Sequence, residues 1–143
     1  MTTELVLEPG TTLPALHVGP FRLTDFVRWA AYQENWLRIH YDRTYARDHL
    51  HLMDCIQSGH FRTALIARMI TDWLGDDGRL KRFAVRHTAP VSVGDLIRCE
   101  GRIRATPTRR AGETTVDLDI WAVKQDSQLV SEGTAVVEIY AQG

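Results

Sequence analysis

Two short stretches hold the side chains whose types and spacing could do chemistry. Asn35-Trp36-Leu37-Arg38-Ile39-His40-Tyr41-Asp42 brings a carboxamide, an imidazole and a carboxylate into one segment. An imidazole can take a proton from water near neutral pH and return it. A carboxamide cannot be a base, but its oxygen accepts and its nitrogen donates, so it can orient a water molecule. Ser58-Gly59-His60-Phe61 then puts a glycine where an apolar helical pattern begins. With no side chain in the way, a carbonyl could approach the first free N–H groups of that helix, where the dipole favours negative charge. A water-activating base beside an oxyanion site is the chemistry these residues offer. Each also has a plainer role: His40 as a structural histidine, Asn35 as a loop residue satisfying backbone groups, Gly59 as an N-cap.

The other polar candidates are weaker. His60 and His87 read as polar positions near the helix start and the sheet. His49 and His51 flank Leu50, with Asp48 and Asp54 nearby, but lack a closed ligand spacing, so no metal is expected. Cys55 and Cys99 stand in apolar surroundings and read as buried free thiols.

The elements that must position these residues can be read in order. Leu5, Val6 and Leu7 are expected as an edge strand, followed by turns at Pro9, Gly10, Pro14, Gly19 and Pro20. Thr24 reads as an N-cap to a short helix through Phe26, Val27, Trp29, Ala30 and Ala31, ending near Gln33. A loop carries residues 35–42, and Asp42 can cap a second helix over 43–48. Residues 50–57 read as a loop or a short strand. From Gly59 to about Leu74 the spacing of Phe61, Leu65, Ile66, Met69, Ile70 and Trp73 predicts a helix with a wide apolar stripe, stopped by Gly75. A stripe that wide suits a helix wrapped on one side by a sheet.

Beyond Gly78 the period changes to two. Phe83, Val85 and His87 alternate with Arg82, Ala84 and Arg86. Ile97, Cys99, Gly101 and Ile103 alternate with charged residues, and residues 106–112 read as a polar hairpin loop. Val116, Leu118, Ile120 and Ala122 form a third inward set. Leu129, Gly133, Ala135, Val137 and Ile139 form a fourth, opposite Glu132, Thr134 and Glu138. Such alternation predicts an antiparallel sheet with one face covered. The fold class expected is α+β, a long central helix wrapped by an antiparallel sheet of about five strands, in one domain over residues 1–143.

The order of elements and the two stretches resemble the MaoC-like hydratases and dehydratases of the hotdog-fold superfamily. Those enzymes carry an Asp or Asn, four intervening residues, and then a histidine; Asn35 and His40 match. Most of them have Asp inside a Gly-Asp-x-Asn-Pro-x-His string. Here Glu34-Asn35-Trp36-Leu37-Arg38-Ile39-His40 is closer to a branch reading Asn-x-x-Arg-Ile-His-Tyr-Asp, the type 2 3-hydroxyacyl-thioester dehydratases and mesaconyl-CoA hydratases. The resemblance implies addition of water to a 2-enoyl thioester of coenzyme A or acyl carrier protein, or its removal from the 3-hydroxyacyl form. It implies His40 as general acid/base, Asn35 as water-positioning group and N–H groups at Gly59 as oxyanion hole. It implies no cofactor. Arg38, Ser58 and His60 are taken as substrate-binding residues; Arg38, with Arg109 and Arg110, could meet coenzyme A phosphates or be merely solvated. Many hydratases read His-Gly where Ser58-Gly59 stands, and some have a serine where Ala67 stands.

Composition narrows the partners. With 17 basic and 18 acidic side chains there is no basic excess for nucleic acid and no polybasic run for a membrane surface. No apolar run of transmembrane length and no signal pattern is present, so a cytoplasmic location is expected. A hotdog thioesterase would place a carboxylate early in the central helix, and none occurs between Gly59 and Thr71. A non-catalytic or ligand-binding subunit paired with a catalytic relative is the other alternative. A dimer with a copy or a related hotdog chain is expected, because one such sheet leaves an edge strand exposed.

Overall fold

A computed structural model describes residues 5–110 and 112–140. The elements run β1 (Leu16–Val18), α1 (Leu23–Tyr32), a short 3-10 helix (Arg38–His40), α2 (Arg43–Leu50), α3 (Gly59–Leu74), β2 (Gly78–His87), β3 (Ile97–Ile103), β4 (Thr108–Arg110), β5 (Glu113–Lys124) and β6 (Leu129–Ile139). The strands form one antiparallel sheet in the order β1-β3-β5-β6-β2, with β4 pairing beside β3 on β5. The expected architecture is present, with six strands rather than about five.

The core lies between α3 and the sheet. Ile66, Met69, Ile70 and Leu74 from the helix meet Ile97, Cys99 and Ile103, then Val116, Leu118 and Ile120, then Ala135 and Val137. Each fully buried aliphatic side chain contributes about 1.5–3 kcal/mol, so this seam fixes which face of α3 points inward. Gly133 lets β2 and β6 close on each other: a Cβ there would run into the carbonyl of Ala84.

Four expectations shift. The N-terminal strand is Leu16–Val18, not residues 5–7, because β3 offers its edge to Leu16 opposite Cys99. Helix α1 starts at Leu23 with Arg22 as N-cap, not Thr24; the Asp25 carboxylate reaches back to accept from the Arg22 N–H at 2.8 Å. Residues 106–112 are not all loop, since Thr108–Arg110 extends the hairpin with β5. A register shift at Ala122/Val123 turns Val130 into the core and leaves Leu129 largely exposed.

On the outer face, Glu138 is buried beneath Arg79 and Lys81, which approach at 2.8 and 2.6 Å. The Lys81 hydrogen bond, aided by Arg79, holds its carboxyl below the usual range. A bulge between Leu80 and Arg82 places Lys81 beside it.

Candidate active site

The 3-10 helix at Arg38–His40 is built by its own sequence. Asp42 caps α2, accepting from the Tyr45 N–H at 2.9 Å. The same carboxylate takes two bonds from Arg38, at 3.0 and 2.8 Å, and the guanidinium lies 4.4 Å over the Tyr45 ring. The Tyr45 N–H, and then Arg38, hold the Asp42 carboxyl below its ordinary value. Tyr41 donates its hydroxyl to the Trp36 carbonyl at 3.1 Å. Arg38, Tyr41 and Asp42 thus tie the turn that presents His40.

His40 is 8% exposed, and its Nδ1 lies 2.8 Å from the Ile56 carbonyl oxygen. A carbonyl only accepts, so the neutral ring keeps its proton on Nδ1 and leaves the lone pair on Nε2. The strap is double, because the Ile56 N–H donates to the Ile39 carbonyl at 3.2 Å. Residues 55–57, expected as loop or short strand, are held in turn by bonds to Val91 and Val93 and a bridge from Ile56 to Ser92.

Gly59 opens α3, with Ser58 as its buried N-cap, and the Ser58 side chain makes no capping bond. The first N–H groups of a helix have no acceptor inside it. Gly59 also faces His87: a Cβ on Gly59 would stand 2.8 Å from the His87 Cδ2. His87 is oriented by two hydroxyls, Ser131 Oγ at 2.9 Å from Nδ1 and Thr63 Oγ1 at 3.1 Å from Nε2. Burial, with the Arg62 charge nearby, pushes the His87 imidazole below its ordinary value.

A cavity of about 560 Å³ brings these groups together; it is lined by Ile39, His40, Ile56, Gln57, Gly59, Arg62 and His87 among others. Of the residues singled out from the sequence, His40 and Gly59 share it. Asn35, Arg38, Ser58 and His60 are not among its lining residues. Asn35 is half-buried at the end of α1, its N–H bonded to the Ala30 carbonyl at 2.9 Å. Arg38 is committed to Asp42, and His60 is exposed. The lining residues not named as site residues include His87, Gln57 and Arg62. His87 sits at the end of a strand whose alternation pointed it to the helix side, and that signal was present. Gln57 and Arg62 gave none, since one precedes the glycine in an irregular segment and the other interrupts an apolar stripe.

Cys55 and Cys99 are buried free thiols. Desolvation pushes both thiols up, Cys99 to about 12, so neither is a nucleophile at neutral pH. Among the described residues no cluster of His, Cys, Asp and Glu is placed to hold a metal ion. No helix among them is long and apolar enough to cross a membrane.

The R-hydratase PhaJ1 from Pseudomonas aeruginosa superposes with a TM-score of 0.82 at 21% identity, over 95% of this chain and 84% of that one. The (R)-hydratase from A. caviae involved in PHA biosynthesis gives 0.79 at 23% identity, over 93% and 97%. A chain of the ChsH1-ChsH2 complex from Mycobacterium tuberculosis gives 0.79 at 20% identity, over 94% and 99%. At these identities the likeness establishes the fold, which is the hotdog fold. No curated protein matches the chain. The family described as "MaoC like domain" matches residues 7–122, and the chain belongs to that family.

Proposed function

We propose that the chain is a hydratase or dehydratase, a carbon–oxygen lyase, acting on a 2-enoyl or 3-hydroxyacyl thioester of coenzyme A or acyl carrier protein. The observation that carries this is His40, tied through Nδ1 to the Ile56 carbonyl and lining one cavity with Gly59. In the hydration direction, Nε2 of His40 takes a proton from water as the water oxygen bonds to the β-carbon. The electrons of the carbon–carbon double bond move onto the thioester carbonyl, giving an enolate. N–H groups at the start of α3 stabilise that oxygen. The imidazolium then returns its proton to the α-carbon, and one molecule of water has been added. Dehydration runs the same steps backward.

Asn35 is assigned the water, and Ser58 and His60 flank the thioester at the helix start. Arg38 serves the substrate through the turn it holds. The Asn-x-x-Arg-Ile-His-Tyr-Asp string supports a kinship with the type 2 dehydratases and mesaconyl-CoA hydratases. The assembly is a single MaoC-like hotdog domain paired with a copy or a related chain, and β2 supports this as a ten-residue strand at one edge of the sheet. A second reading, a non-catalytic partner subunit, is favoured by one observation: Asn35 lies outside the lining of the His40 cavity. Crotonyl-CoA decides between them. Loss of enoyl absorbance supports the enzyme, and no loss with any acyl chain supports the partner subunit. Release of free thiol would indicate a thioesterase.

A further inference from the structure

We propose that His87 is a positioning residue: it fixes the first turn of α3, and with it the N–H groups that meet the thioester oxygen, against the same stretch of chain that holds His40. This rests on the reading of the cavity as an acyl-thioester site, and it adds a residue which that reading does not use.

The stretch runs from the end of β2 to residue 93, and its alternate residues each tie down one part of the site. The Val93 N–H donates to the Cys55 carbonyl at 3.3 Å, and the Val91 carbonyl accepts from the Gln57 N–H at 2.7 Å. Those bonds hold residues 55–57, whose Ile56 carbonyl holds His40 Nδ1. The Ala89 carbonyl accepts from Arg62 Nη1, on the first turn of α3, at 2.7 Å. His87 makes the remaining tie. Its Nε2 lies 3.1 Å from Thr63 Oγ1 on α3, and its Nδ1 lies 2.9 Å from Ser131 Oγ on β6. One stretch thus sets both the base and the start of the helix.

The tie through His87 is closely built. Ser131 is fully buried, so its hydroxyl has no water to turn to if the ring is lost. The ring passes over Gly59 so closely that a Cβ there would meet it at 2.8 Å. Arg62 alone would let the end of α3 pivot about one guanidinium. Thr63 stands about 100° further round the helix, so a second tie there removes that rotation. Oxyanion donors act through being fixed before the reaction begins. A loosened helix start therefore costs transition-state stabilisation, while binding spread over the rest of the substrate is kept.

The test compares wild type with two variants. His87→Phe keeps a flat ring over Gly59 and removes both bonds. His87→Gln can place its amide nitrogen where Nε2 stands and keep the tie to Thr63. On crotonyl-CoA, His87→Phe is expected to lose at least about tenfold in kcat with KM within about twofold of wild type, and His87→Gln to recover most of that loss. A second readout needs no turnover. The carbonyl stretch of butyryl-CoA, isotope-labelled at its carbonyl carbon, should fall on binding to wild type, and the fall should shrink in His87→Phe while the thioester still binds. An unchanged kcat and stretch in a variant whose melt alone has dropped would overturn the proposal, as would a His87→Gln no better than His87→Phe. If His87→Phe fails to fold, Thr63→Val, which cuts the tie on the helix side, is judged by the same two readouts. If wild type binds butyryl-CoA but hydrates nothing, the stretch decides. Wild type that binds no butyryl-CoA would overturn the acyl-thioester reading and this proposal with it.

Discussion

Replacing Gly59 with alanine should separate rate from stability. The new Cβ would stand 2.8 Å from Cδ2 and 3.1 Å from Nε2 of His87. Real Cβ contacts essentially never fall below about 3 Å, so the ring must move. It is held by the Ser131 and Thr63 hydroxyls, and moving it strains or breaks one of those bonds, at about 0.5–1.5 kcal/mol. Against that, a glycine-to-alanine change at an unstrained position contributes about 0.4–1 kcal/mol by restricting the unfolded chain. The two nearly cancel, and the melting temperature should move by less than about 4 °C. The rate should not be spared. The methyl group occupies the approach to the first N–H groups of α3, and losing an oxyanion donor typically costs about 10²–10³-fold. The assay is loss of enoyl absorbance from crotonyl-CoA, beside a thermal melt of the same preparation. A Gly59→Ala protein that keeps at least about a third of the wild-type rate, far short of that cost, with an unchanged melt would refute the oxyanion assignment.

Asn35→Ala should lower the rate strongly, since alanine can neither accept from nor donate to the water, whereas Asn35→Asp should be tolerated. The rate on crotonyl-CoA beside a thermal melt checks this; a rate unmoved by Asn35→Ala, with only stability changed, removes Asn35 from the site. His87 should make the fold acid-sensitive. Its folded pKa is depressed below its unfolded value near 6.5, so its contribution is present above that pH and is lost as pH falls through the folded pKa. Denaturant melts between about pH 7 and 5 should show a shallower loss in His87→Gln than in wild type, and parallel curves would place the acid sensitivity elsewhere.

The parts of the fold legible in the sequence were those set by local pattern. The stripe through Leu65, Ile66, Met69 and Ile70 marked α3 and its buried face, and the two-residue alternation through Ile97, Cys99, Gly101 and Ile103 marked β3. Asp42 announced its own cap because capping is decided within one turn. What was illegible depends on distant partners. Leu16–Val18 is too short to show a period, and only the free edge of β3 makes it a strand. Leu129 and Val130 exchange places because of a register shift with β5, which no alternation in β6 reveals. Nothing in the sequence near Arg62 marks it as buried; the carbonyls that let it enter the core belong to residues 27 and 68 positions further along. Of the candidates named from type and spacing, His40 and Gly59 line one cavity. Arg38 is engaged by Asp42 four residues on, a tie that the spacing within the string does not by itself announce.

The most direct test of His40 as the acid/base is the rate of crotonyl-CoA hydration by wild type and by His40→Ala, each verified as folded by its melt. Loss of a general base costs about two to four orders of magnitude, roughly 3–5 kcal/mol of barrier. His40 lies in the cavity with its Nδ1 already spent on the Ile56 carbonyl, so no second ring nitrogen can substitute for Nε2. The expectation is a folded His40→Ala protein with at least about a hundredfold lower rate. A folded variant that retains more than about a tenth of the wild-type rate, far above that prediction, would make His40 structural and contradict it.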